Sequence, residues 1–540
     1  MRADGPLDDS ADDQAALNLR RTRLAEGLQQ RLMSNVAGKT TDGAESFVHN
    51  DPAAYTDAHW LAEERAHLFQ ALPLVAGLSS DLPKPGDRLL FDAAGPPILI
   101  IRGSDDRVRA FLNICPHRAA RLVTKCGAGA RLTCPFHGWT FSLDGALIGL
   151  PGLASFEGLD RSQVRLQPVP VAEWNGLIFV IARPGDDAID VPAYLGALAS
   201  EVADLQLSNA RFVKQTRLDA RSNWKYTLDT FGEGYHVAVL HPGTVGRFLI
   251  CDSIIYDEYR PHHRMCFANR GMAEDAHKPR SQWPAAQLRL VYLLFPNTII
   301  QYTPLGGGYN IIIYRIFPGG CPGESFTFLE SYQAGEVGGE GDLEPWLEAH
   351  DYQVSIVGGE DYPMAETAQR NLNFVPPGWR MLYGRNEIAL QRFQRSVAER
   401  IGRRTLPRRP RWRRQWSVGF LSKSQEQMMA EKMYEGYEAL QPFFDLIMGA
   451  LKGRVEADHF FDLFDDDGVW EYGFVLPGQL QSVQGRDHIA KHFRGYGEIH
   501  WLDRVCNLIT HETKDAVILE PRRANGPALP QSLCLGDHRS

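Results

Sequence analysis

The sequence predicts an α+β protein built from several domains, and three observations support this fold class. The chain has 540 residues, 44% of them hydrophobic and 23% charged, which is ordinary globular composition and enough for about three cores. Runs typical of β-strands alternate with helical patterns between residues 80 and 400. An arginine- and proline-rich stretch at residues 403–414 then precedes a further small α+β unit.

The composition also excludes classes of function. The net charge of −9, from 57 basic and 66 acidic residues, does not give the positive field that sequence-independent nucleic-acid binding needs. No apolar run approaches the roughly 20 residues of a membrane helix. The N-terminus has neither the basic flank nor the apolar stretch of a signal peptide. We therefore expect a cytoplasmic protein with no nucleic-acid partner and no membrane partner.

The N-terminal part of the chain contains an extension and a small β-domain. Residues 1–45 are polar and predict a weakly ordered extension. A helical, aromatic pattern over residues 47–74 leads into short β-like runs, at residues 88–91, 97–101 and 108–112. The Asp144-Gly145 pair is a hairpin signal. We assign residues 46–200 to a β-domain with flanking helices.

Residues 201–402 predict an α+β domain with an antiparallel sheet. Its expected elements are a helix at 223–239, strands near 288–294, 298–302 and 310–317, and helices from 362 and near 390–401. The three glycines at 306–308 lie between two strand-like runs, which indicates a turn and not a phosphate-binding loop.

The last part of the chain predicts a linker, a small domain and a tail. Residues 403–425 begin with seven arginines and two prolines within twelve residues, which favours a stiff, solvated linker over a nucleic-acid patch. Residues 426–520 again show helical and β-like periodicity and predict a separate α+β unit. Residues 521–540 show no strand alternation and predict an irregular tail.

The first candidate metal site lies in two similar loops. Cys115-Pro-His117 is followed after sixteen residues by Cys134-Pro-Phe-His137, so each loop offers one thiolate and one imidazole. A zinc finger would instead group its cysteines in one half and its histidines in the other. The arrangement suits a Rieske-type 2Fe-2S cluster, with Cys115 and Cys134 on one iron and both histidines on the other. The alternatives are a zinc ribbon and buried core residues.

The second candidate metal site lies on the predicted helix at 223–239. A rotation of about 100° per residue puts Asp229, Glu233 and His236 on one face. His241 follows His236 after five residues, so the helix must end or bend before Pro242 for both imidazoles to reach one ion. The glycines on either side of Glu233 would allow such a bend.

Two histidines at one point need a carboxylate to complete a facial triad, which leaves open positions on Fe(II) for dioxygen and substrate. The residues alone leave Asp351, Glu360 and Asp361 as candidates, and Asp361 precedes a helix-like run. An ordinary helix-capping aspartate and two core histidines are the alternatives.

These motifs together resemble the α (catalytic) subunits of the Rieske non-haem iron ring-hydroxylating oxygenases. The likeness covers residues 47–400. It rests on C-P-H-R with C-P-F-H-G-W, N-W-K before D-x3-E-x2-H-x4-H, F-P-N-T at 295–298, E-D with E-T-A-Q at 360–369, and G-R-N-E at 384–387. The resemblance implies a Rieske β-domain at 46–200, a helix-grip α+β catalytic domain at 201–402, and a homotrimer.

The resemblance also implies roles for single residues. His236, His241 and Asp361 would ligate the mononuclear Fe(II). Cys115, His117, Cys134 and His137 would hold the 2Fe-2S cluster. Glu233 would carry the electron between neighbouring subunits, and Asp229 is a second catalytic candidate on the same predicted face. Most aromatic dioxygenases have aspartate at the position of Glu233, whereas branches such as the quaternary-amine monooxygenases have glutamate, so the assignment to arene dihydroxylation is weakened.

The function that follows is oxygen insertion from O2 into a hydrophobic, aromatic substrate by hydroxylation, dihydroxylation or oxidative demethylation. The chain has no dinucleotide-binding fingerprint and no ferredoxin-type cysteine spacing, so a separate NAD(P)H-dependent reductase, with or without a ferredoxin, must supply electrons. The strands at 291–295 and 298–302 would face the substrate, with plain core as the alternative. Other functions considered are an electron-transfer or redox-sensing protein whose second site is structural, and a zinc-binding interaction protein.

The C-terminal unit, residues 426–520, resembles SnoaL-like domains of the nuclear transport factor 2 fold, an α+β cone. A structural or assembly role is preferred over an independent active site. Because the family would continue with further strands where residues 521–540 look irregular, we expect a truncated domain with an open sheet edge.

Overall fold

A computed structural model of the protein describes residues 9–335 and 343–403, together with five short strands between residues 469 and 536. The chain divides into two compact units, Met1–Pro410 and Arg411–Ser540. Their boundary falls in the predicted linker, most of which lies outside the described residues. Among the helices that are described, none combines the length and the apolar character needed to cross a bilayer.

The first helix, α1 (Asp9–Gly38), corrects the expectation of a weakly ordered extension over residues 1–45. Leu28, Leu32 and Met33 are buried in a cluster with strand residues of the catalytic domain. Arg31 forms an ion pair with Asp257 at 2.8 Å. The helix is ordered because its apolar stripe covers one face of a sheet that would otherwise be exposed, a tertiary contact that the polar composition of the segment does not reveal.

The β-domain begins with short elements and continues as small antiparallel sheets. Its elements are β1 (Val48–Asn50), α2 (Ala53–Thr56), α3 (Ala58–Glu64), β2 (Leu74–Leu78), β3 (Asp87–Phe91), β4 (Ile98–Arg102), β5 (Val108–Leu112), β6 (Gly127–Ala128), β7 (Leu132–Thr133), β8 (Thr140–Phe141), β9 (Leu147–Gly149), β10 (Pro168–Val169), β11 (Val171–Trp174) and β12 (Leu177–Val180). The sheet orders are β10-β5-β4-β3-β6, β7-β8-β9 and β11-β12-β2. The predicted hairpin turn at Gly145 is present, with φ +85°.

The catalytic domain is an antiparallel sheet with helices, as predicted. Its elements are α4 (Val191–Leu195), α5 (Ala199–Ala203), β13 (Arg211–Ala220), α6 (Trp224–Asp229), α7 (Val237–Leu240), β14 (Leu249–Tyr259), β15 (His262–Asn269), α8 (Met272–Asp275), β16 (Arg289–Leu294), β17 (Thr298–Leu305), β18 (Gly308–Pro318), β19 (Ser325–Ala334), α9 (Glu344–Ile356), α10 (Tyr362–Leu372), β20 (Met381–Tyr383) and α11 (Ile388–Arg400). Seven strands form one sheet in the order β13-β19-β18-β17-β16-β15-β14, and β20 pairs with β1.

The seven-stranded sheet is covered on both faces. Because side chains alternate along a strand, Ile299 and Ile312 point to one face and Ile300 and Ile313 to the other. The first face, which we call the inner face, packs with residues of α6 and α11. The outer face packs with α1 and α5. A sheet buried on both sides explains why its strands read as nearly continuous apolar runs in the sequence.

The predicted continuous helix at 223–239 is wrong, because α6 ends at Asp229 and α7 begins only at Val237. Asn223 caps α6 by accepting the amide hydrogen of Lys225 at 3.0 Å. A Cβ atom on Gly234 would lie 2.8 Å from Ile254 Cδ1 and 3.1 Å from the Cys251 carbonyl oxygen, so the irregular segment packs closely on β14. Only glycine fits at this close approach, and the chain here follows an irregular path in place of the predicted helix.

Between α9 and α10 the chain forms a single wide helical turn, Val357–Asp361, with π-helix geometry. The expectation that Asp361 opens a new helix is therefore refined, since the residue lies inside a continuous helical segment. Wide turns of this kind are frequent at functional sites, where they redirect one side chain.

The described strands of the C-terminal unit are β21 (Val469–Tyr472), β22 (Ser482–Gln484), β23 (Asn507–Glu512), β24 (Ala516–Arg522) and β25 (Leu533–Gly536), in the sheet order β22-β21-β25-β24-β23. The predicted irregular tail at 521–540 is thus wrong at β25, which pairs with both β21 and β24. Four residues are too few for strand alternation to be visible in the sequence. The rest of the predicted SnoaL-like domain lies outside the described residues.

Candidate active site

Three predicted ligands meet at one point in the catalytic domain. The structure brings His236, His241 and Asp361 together, with one potential ligand atom of each within 4.8 Å of the other two. The Nε2 atoms of His241 and His236 lie 3.1 and 3.4 Å from Asp361 Oδ1. Two imidazoles and one carboxylate on one side of an ion form the facial arrangement that leaves positions free for dioxygen and substrate. The donor set therefore fits Fe(II).

The other nitrogen of each imidazole contacts a glutamate. His236 Nδ1 hydrogen-bonds to Glu233, whose carboxylate also accepts the backbone amide hydrogen of His236 at 3.1 Å. His241 Nδ1 lies 2.5 Å from Glu360 Oε2, which also accepts the Thr244 hydroxyl at 3.0 Å. Such carboxylates fix the tautomer and orientation of a metal-binding histidine, so that Nε2 of each ring is free for the metal.

The electrostatics of this cluster favour a positive centre. Burial opposes protonation of His236, but its hydrogen bonds to Asp361 and Glu233 outweigh burial and raise its pKa to about 9. Burial opposes ionisation of Asp361, yet the two histidines hold its pKa below the usual range. Three carboxylates surround two imidazoles, which is the charge balance that a divalent cation completes.

Asp229 does not join this cluster, and its predicted place on one helical face with Glu233 and His236 is wrong. Its carboxylate accepts hydrogen bonds from the Tyr55 hydroxyl at 2.5 Å and from Gln394 Nε2 at 3.1 Å. Burial raises the pKa of Asp229 to about 7. The helix is interrupted after Asp229, so Glu233 and His236 no longer follow its rotation.

Glu360 is the site residue that the sequence left unresolved. It was one of three candidate ligands, and the structure places it instead on the far side of His241 from Asp361. The third candidate, Asp351, forms a surface ion pair with Lys214 at 2.5 Å. The adjacent acidic residues Glu360 and Asp361 are the sequence feature that could have indicated this role. In a wide helical turn, two consecutive carboxylates can contact the two nitrogens of one imidazole ring.

The two loops of the first metal site are built alike. In each loop the fifth residue donates its amide hydrogen to the cysteine carbonyl, Ala119 to Cys115 at 2.9 Å and Gly138 to Cys134 at 3.0 Å. Both fifth residues have positive φ, +59° and +73°. The repeated turn presents a cysteine and a histidine from each loop towards a common space.

The surroundings of these four residues fit a Rieske cluster. Both thiols are buried, and burial raises the pKa of the Cys115 thiol. The imidazoles of His117 and His137 are half-buried, with ring centroids 4.6 Å apart. His137 Nδ1 is buried and has no hydrogen-bond partner within the described residues, which is costly unless the nitrogen binds a metal. Cysteines inside and histidines towards the surface match a cluster whose histidine-bound iron faces an electron partner.

The inner face of the sheet lies beside the candidate iron ligands. The rings of Phe231 and Tyr314 lie 4.6 Å apart, and the Tyr314 hydroxyl donates to Gln301 Oε1 at 3.2 Å. Asp361 acts electrostatically on Tyr314, so strand β18 lies near this candidate ligand. The predicted substrate-facing strands at 291–295 and 298–302 correspond to β16 and β17, and Val291 and Gln301 are directly paired on this face.

Comparison with known proteins identifies both domains. Residues 73–170 match the Rieske [2Fe-2S] domain family, and residues 207–403 match the ring-hydroxylating α-subunit catalytic domain. The carnitine monooxygenase oxygenase subunit of Escherichia coli (strain K12) is 31% identical over 289 residues, 52% of this chain and 72% of the relative. The corresponding subunit of Acinetobacter baumannii is 28% identical over 332 residues, 59% of this chain and 83% of the relative.

A solved structure shows the same fold. It is a quaternary ammonium Rieske monooxygenase whose description names carnitine oxidation and inter-subunit electron transfer, with a TM-score of 0.55, 23% identity, and coverage of 69% of this chain and 98% of the other. The chain belongs to the Rieske non-haem iron oxygenases as an α (catalytic) subunit. It is an oxygenase that uses a Rieske 2Fe-2S cluster and Fe(II), which supply electron transfer and dioxygen activation respectively.

Proposed function

We propose that this oxygenase hydroxylates a carbon bonded to the nitrogen of a quaternary ammonium substrate. The observation that carries the proposal is the similarity to carnitine monooxygenase oxygenase subunits, which extends over both metal-binding domains. Glu233, a glutamate where aromatic dioxygenases have aspartate, supports the same branch. The aromatic rings of Phe231 and Tyr314, which lie near Asp361, offer the cation–π contacts that suit a trimethylammonium group.

This proposal replaces the aromatic substrate that the sequence motifs alone led us to expect. Apolar inner-face strands are compatible with both substrate classes, because a trimethylammonium group presents methyl groups to its pocket. The aromatic rings beside the site separate the two classes, because the ring faces attract a cation electrostatically and a neutral aromatic hydrocarbon lacks that attraction.

The overall reaction consumes one O2, two electrons and two protons, converts C–H into C–OH and releases water. Where the new hydroxyl is on a carbon bonded to the quaternary nitrogen, the C–N bond breaks, releasing a tertiary amine, an aldehyde and a proton. The protein residues position this chemistry. Asp361 and the Nε2 atoms of His236 and His241 are the proposed iron ligands, and Glu233 and Glu360 hold the two rings.

Four residues are the proposed cluster ligands: Cys115, His117, Cys134 and His137. A separate reductase would supply electrons to this cluster, as expected from the sequence. We further propose a homotrimer in which the cluster of one subunit serves the iron of its neighbour, with Glu233 between them. Apolar side chains are exposed near both metal sites and support such a contact: Phe136, Ile148 and Leu153 beside the cluster loops, and Tyr235, Val239 and Phe248 beside the histidine pair.

The substrate proposal is tested by turnover of the purified oxygenase with a surrogate reductase. We compare γ-trimethylammoniobutyrate with its isostere in which a tert-butyl group replaces the trimethylammonium group, and with indole. The proposal predicts amine and aldehyde release from the cation and little oxidation of the isostere or indole. Oxidation of indole with no product from any quaternary ammonium compound would refute it and restore the aromatic assignment.

The trimer proposal is tested by mixing two inactive variants. His137→Ala lacks a cluster ligand, and His241→Ala lacks an iron ligand. Mixed trimers regain activity if the cluster of one subunit serves the iron of the next, and they stay inactive if each subunit works alone. Light scattering on the same samples measures the oligomeric state.

The C-terminal unit is proposed to serve assembly. The order β22-β21-β25-β24-β23 describes an antiparallel sheet of short strands, which supports the predicted SnoaL-like cone. A chain ending at residue 410, the boundary between the two units, tests the role. Loss of oligomers with retained cluster and iron supports assembly, and an unchanged oligomer contradicts it.

A further inference from the structure

The inner face of the catalytic sheet ends in a polar row that contains an arginine. Arg289, the first residue of β16, is paired with Phe267 on β15. The pairing of Leu290 with Tyr302 places Arg289 level with Thr303, which in turn pairs with Asn310 on β18. Arg289 points to the same face as Val291, two residues further along β16, and Val291 is paired with Gln301. A polar row therefore lies about 6–7 Å along the strands from the apolar part of the inner face.

Arg289 differs from the other buried arginines of this sheet. Arg264 on β15 pairs with Glu201 and with Asp257, and Arg315 on β18 pairs with Glu330 at 2.5 Å. Arg289 has no carboxylate within ion-pair distance in the part of the chain that the structure describes, and its Nε donates only to Asn269 Oδ1 at 3.3 Å. Burial accordingly lowers the pKa of Arg289. A half-buried guanidinium without an anion carries an uncompensated desolvation cost.

The position of Arg289 relates it to the iron site. Its strand partner Phe267 lies beneath Gly234, where an added Cβ would be 3.3 Å from the phenyl ring. Gly234 is two residues before His236. Phe231 and Tyr314 lie on the same face of the sheet, towards Asp361. The inner face thus has an aromatic end near the carboxylate ligand and a cationic end at Arg289.

We propose that Arg289 binds a carboxylate of the substrate, so that the preferred substrate is a zwitterion with a quaternary nitrogen near the iron and a carboxylate at the polar row. This inference rests on the proposed function and narrows it. A guanidinium presents two parallel N–H groups that match a carboxylate, and the contact holds the substrate in one direction. Quaternary alcohols and alkyl trimethylammonium ions would lack this contact and would leave the guanidinium unpaired.

The first experiment compares γ-trimethylammoniobutyrate with n-butyltrimethylammonium, which lacks the carboxylate. Wild-type enzyme should show kcat/KM about 10- to 100-fold higher for the zwitterion, as expected for a hydrogen bond between charged groups. Arg289→Gln should abolish the preference by lowering kcat/KM for the zwitterion only. Arg289→Lys should retain part of the preference. Arg217→Gln, an exposed arginine of edge strand β13, is the matched control and should change neither substrate.

The second experiment separates this inference from the proposed function. Equilibrium binding is measured calorimetrically with the tert-butyl isostere of the zwitterion, which keeps the carboxylate but has no cation, and with the corresponding alcohol. Wild-type enzyme should bind the acid more tightly than the alcohol, and Arg289→Gln should bind both alike. The Rieske spectrum of each variant reports that the protein is folded.

Two results overturn the inference. One is that the wild-type enzyme binds the acid and the alcohol equally tightly. The other is that Arg289→Gln lowers kcat/KM equally for γ-trimethylammoniobutyrate and for n-butyltrimethylammonium. If both cations are oxidised at the same rate, the quaternary ammonium proposal stands and the role of Arg289 is refuted. If neither cation is oxidised while the acid still binds through Arg289, the carboxylate site stands and the quaternary ammonium proposal fails.

Discussion

Replacement of Glu360 by glutamine should weaken iron binding without disturbing the fold. Glu360 Oε2 lies 2.5 Å from His241 Nδ1 and also accepts the Thr244 hydroxyl. Glutamine keeps nearly the same shape and can still accept through its amide oxygen, so Glu360→Gln removes only the negative charge. A carboxylate behind a metal-binding histidine raises the basicity of the ring, and its loss typically costs about 10- to 100-fold in metal affinity.

The structure places the expected effect towards the lower end of that range. The Glu360 side chain is 29% exposed, so solvent screens part of its charge, whereas His241 is only 2% exposed. We therefore expect Fe(II) affinity to fall about 10- to 30-fold, equivalent to about 1.4–2 kcal/mol. The assay is anaerobic competition for Fe(II) against a chromogenic chelator, with the cluster spectrum recorded on the same sample.

The matched control is Glu366→Gln. Glu366 lies on the following helix and accepts the backbone amide hydrogen of Arg221 at 2.9 Å, with no contact to either histidine. Iron affinity should be unchanged in this variant. Unchanged affinity in Glu360→Gln, or an equal loss in both variants, would refute the role assigned to Glu360.

Three further predictions concern other parts of the molecule. His137→Ala should lose the Rieske electron paramagnetic resonance signal while retaining mononuclear iron, and a normal signal would contradict the cluster assignment. Gly234→Ala should destabilise the catalytic domain by about 1–3 kcal/mol because its Cβ would meet β14, whereas Gly243→Ala, with nothing within 4 Å, should be neutral in urea unfolding. Equal stability of the two glycine variants would show that the segment can relax. Burial raises the pKa of Asp229 to about 7, so the folded state favours its protonated form and stability should fall as pH rises from about 4 through 7. Between pH 5 and 8 the free energy of unfolding of Asp229→Asn should fall by about 2–3 kcal/mol less than that of the wild type. The same dependence of stability on pH in both proteins would show that Asp229 does not cause it.

Local spacing predicted more of the two metal sites than periodicity did. The two Rieske loops could be predicted because each loop is a short, self-contained turn that carries two proposed ligands, Cys115 with His117 and Cys134 with His137. The two histidines of the second site were also correctly expected to need a break in the helix before Pro242. Glu360 could not be assigned, because its role depends on a wide turn that forms only when α9 and α10 are joined.

Long-range contacts account for the remaining errors and omissions. Asp229 was placed by the phase of a helix that the packing of Gly234 against β14 interrupts. Helix α1 was expected to be weakly ordered because its own composition is polar, and the sheet face that orders it lies more than 200 residues later in the chain. The sequence did not point to Arg289, because its proposed role depends on a partner that is the amide Asn269 and not a carboxylate.

Single turnover of the chemically reduced enzyme tests the oxidation of a quaternary ammonium substrate without any reductase. The protein is reduced anaerobically, freed of reductant, and mixed with γ-trimethylammoniobutyrate and O2, and cluster oxidation and released amine are quantified together. We expect cluster oxidation coupled to amine release in the wild-type enzyme. The His241→Ala variant should keep the cluster spectrum and release no amine. Amine release by His241→Ala at the wild-type level, or cluster oxidation in wild type without amine from any quaternary ammonium compound, would contradict it.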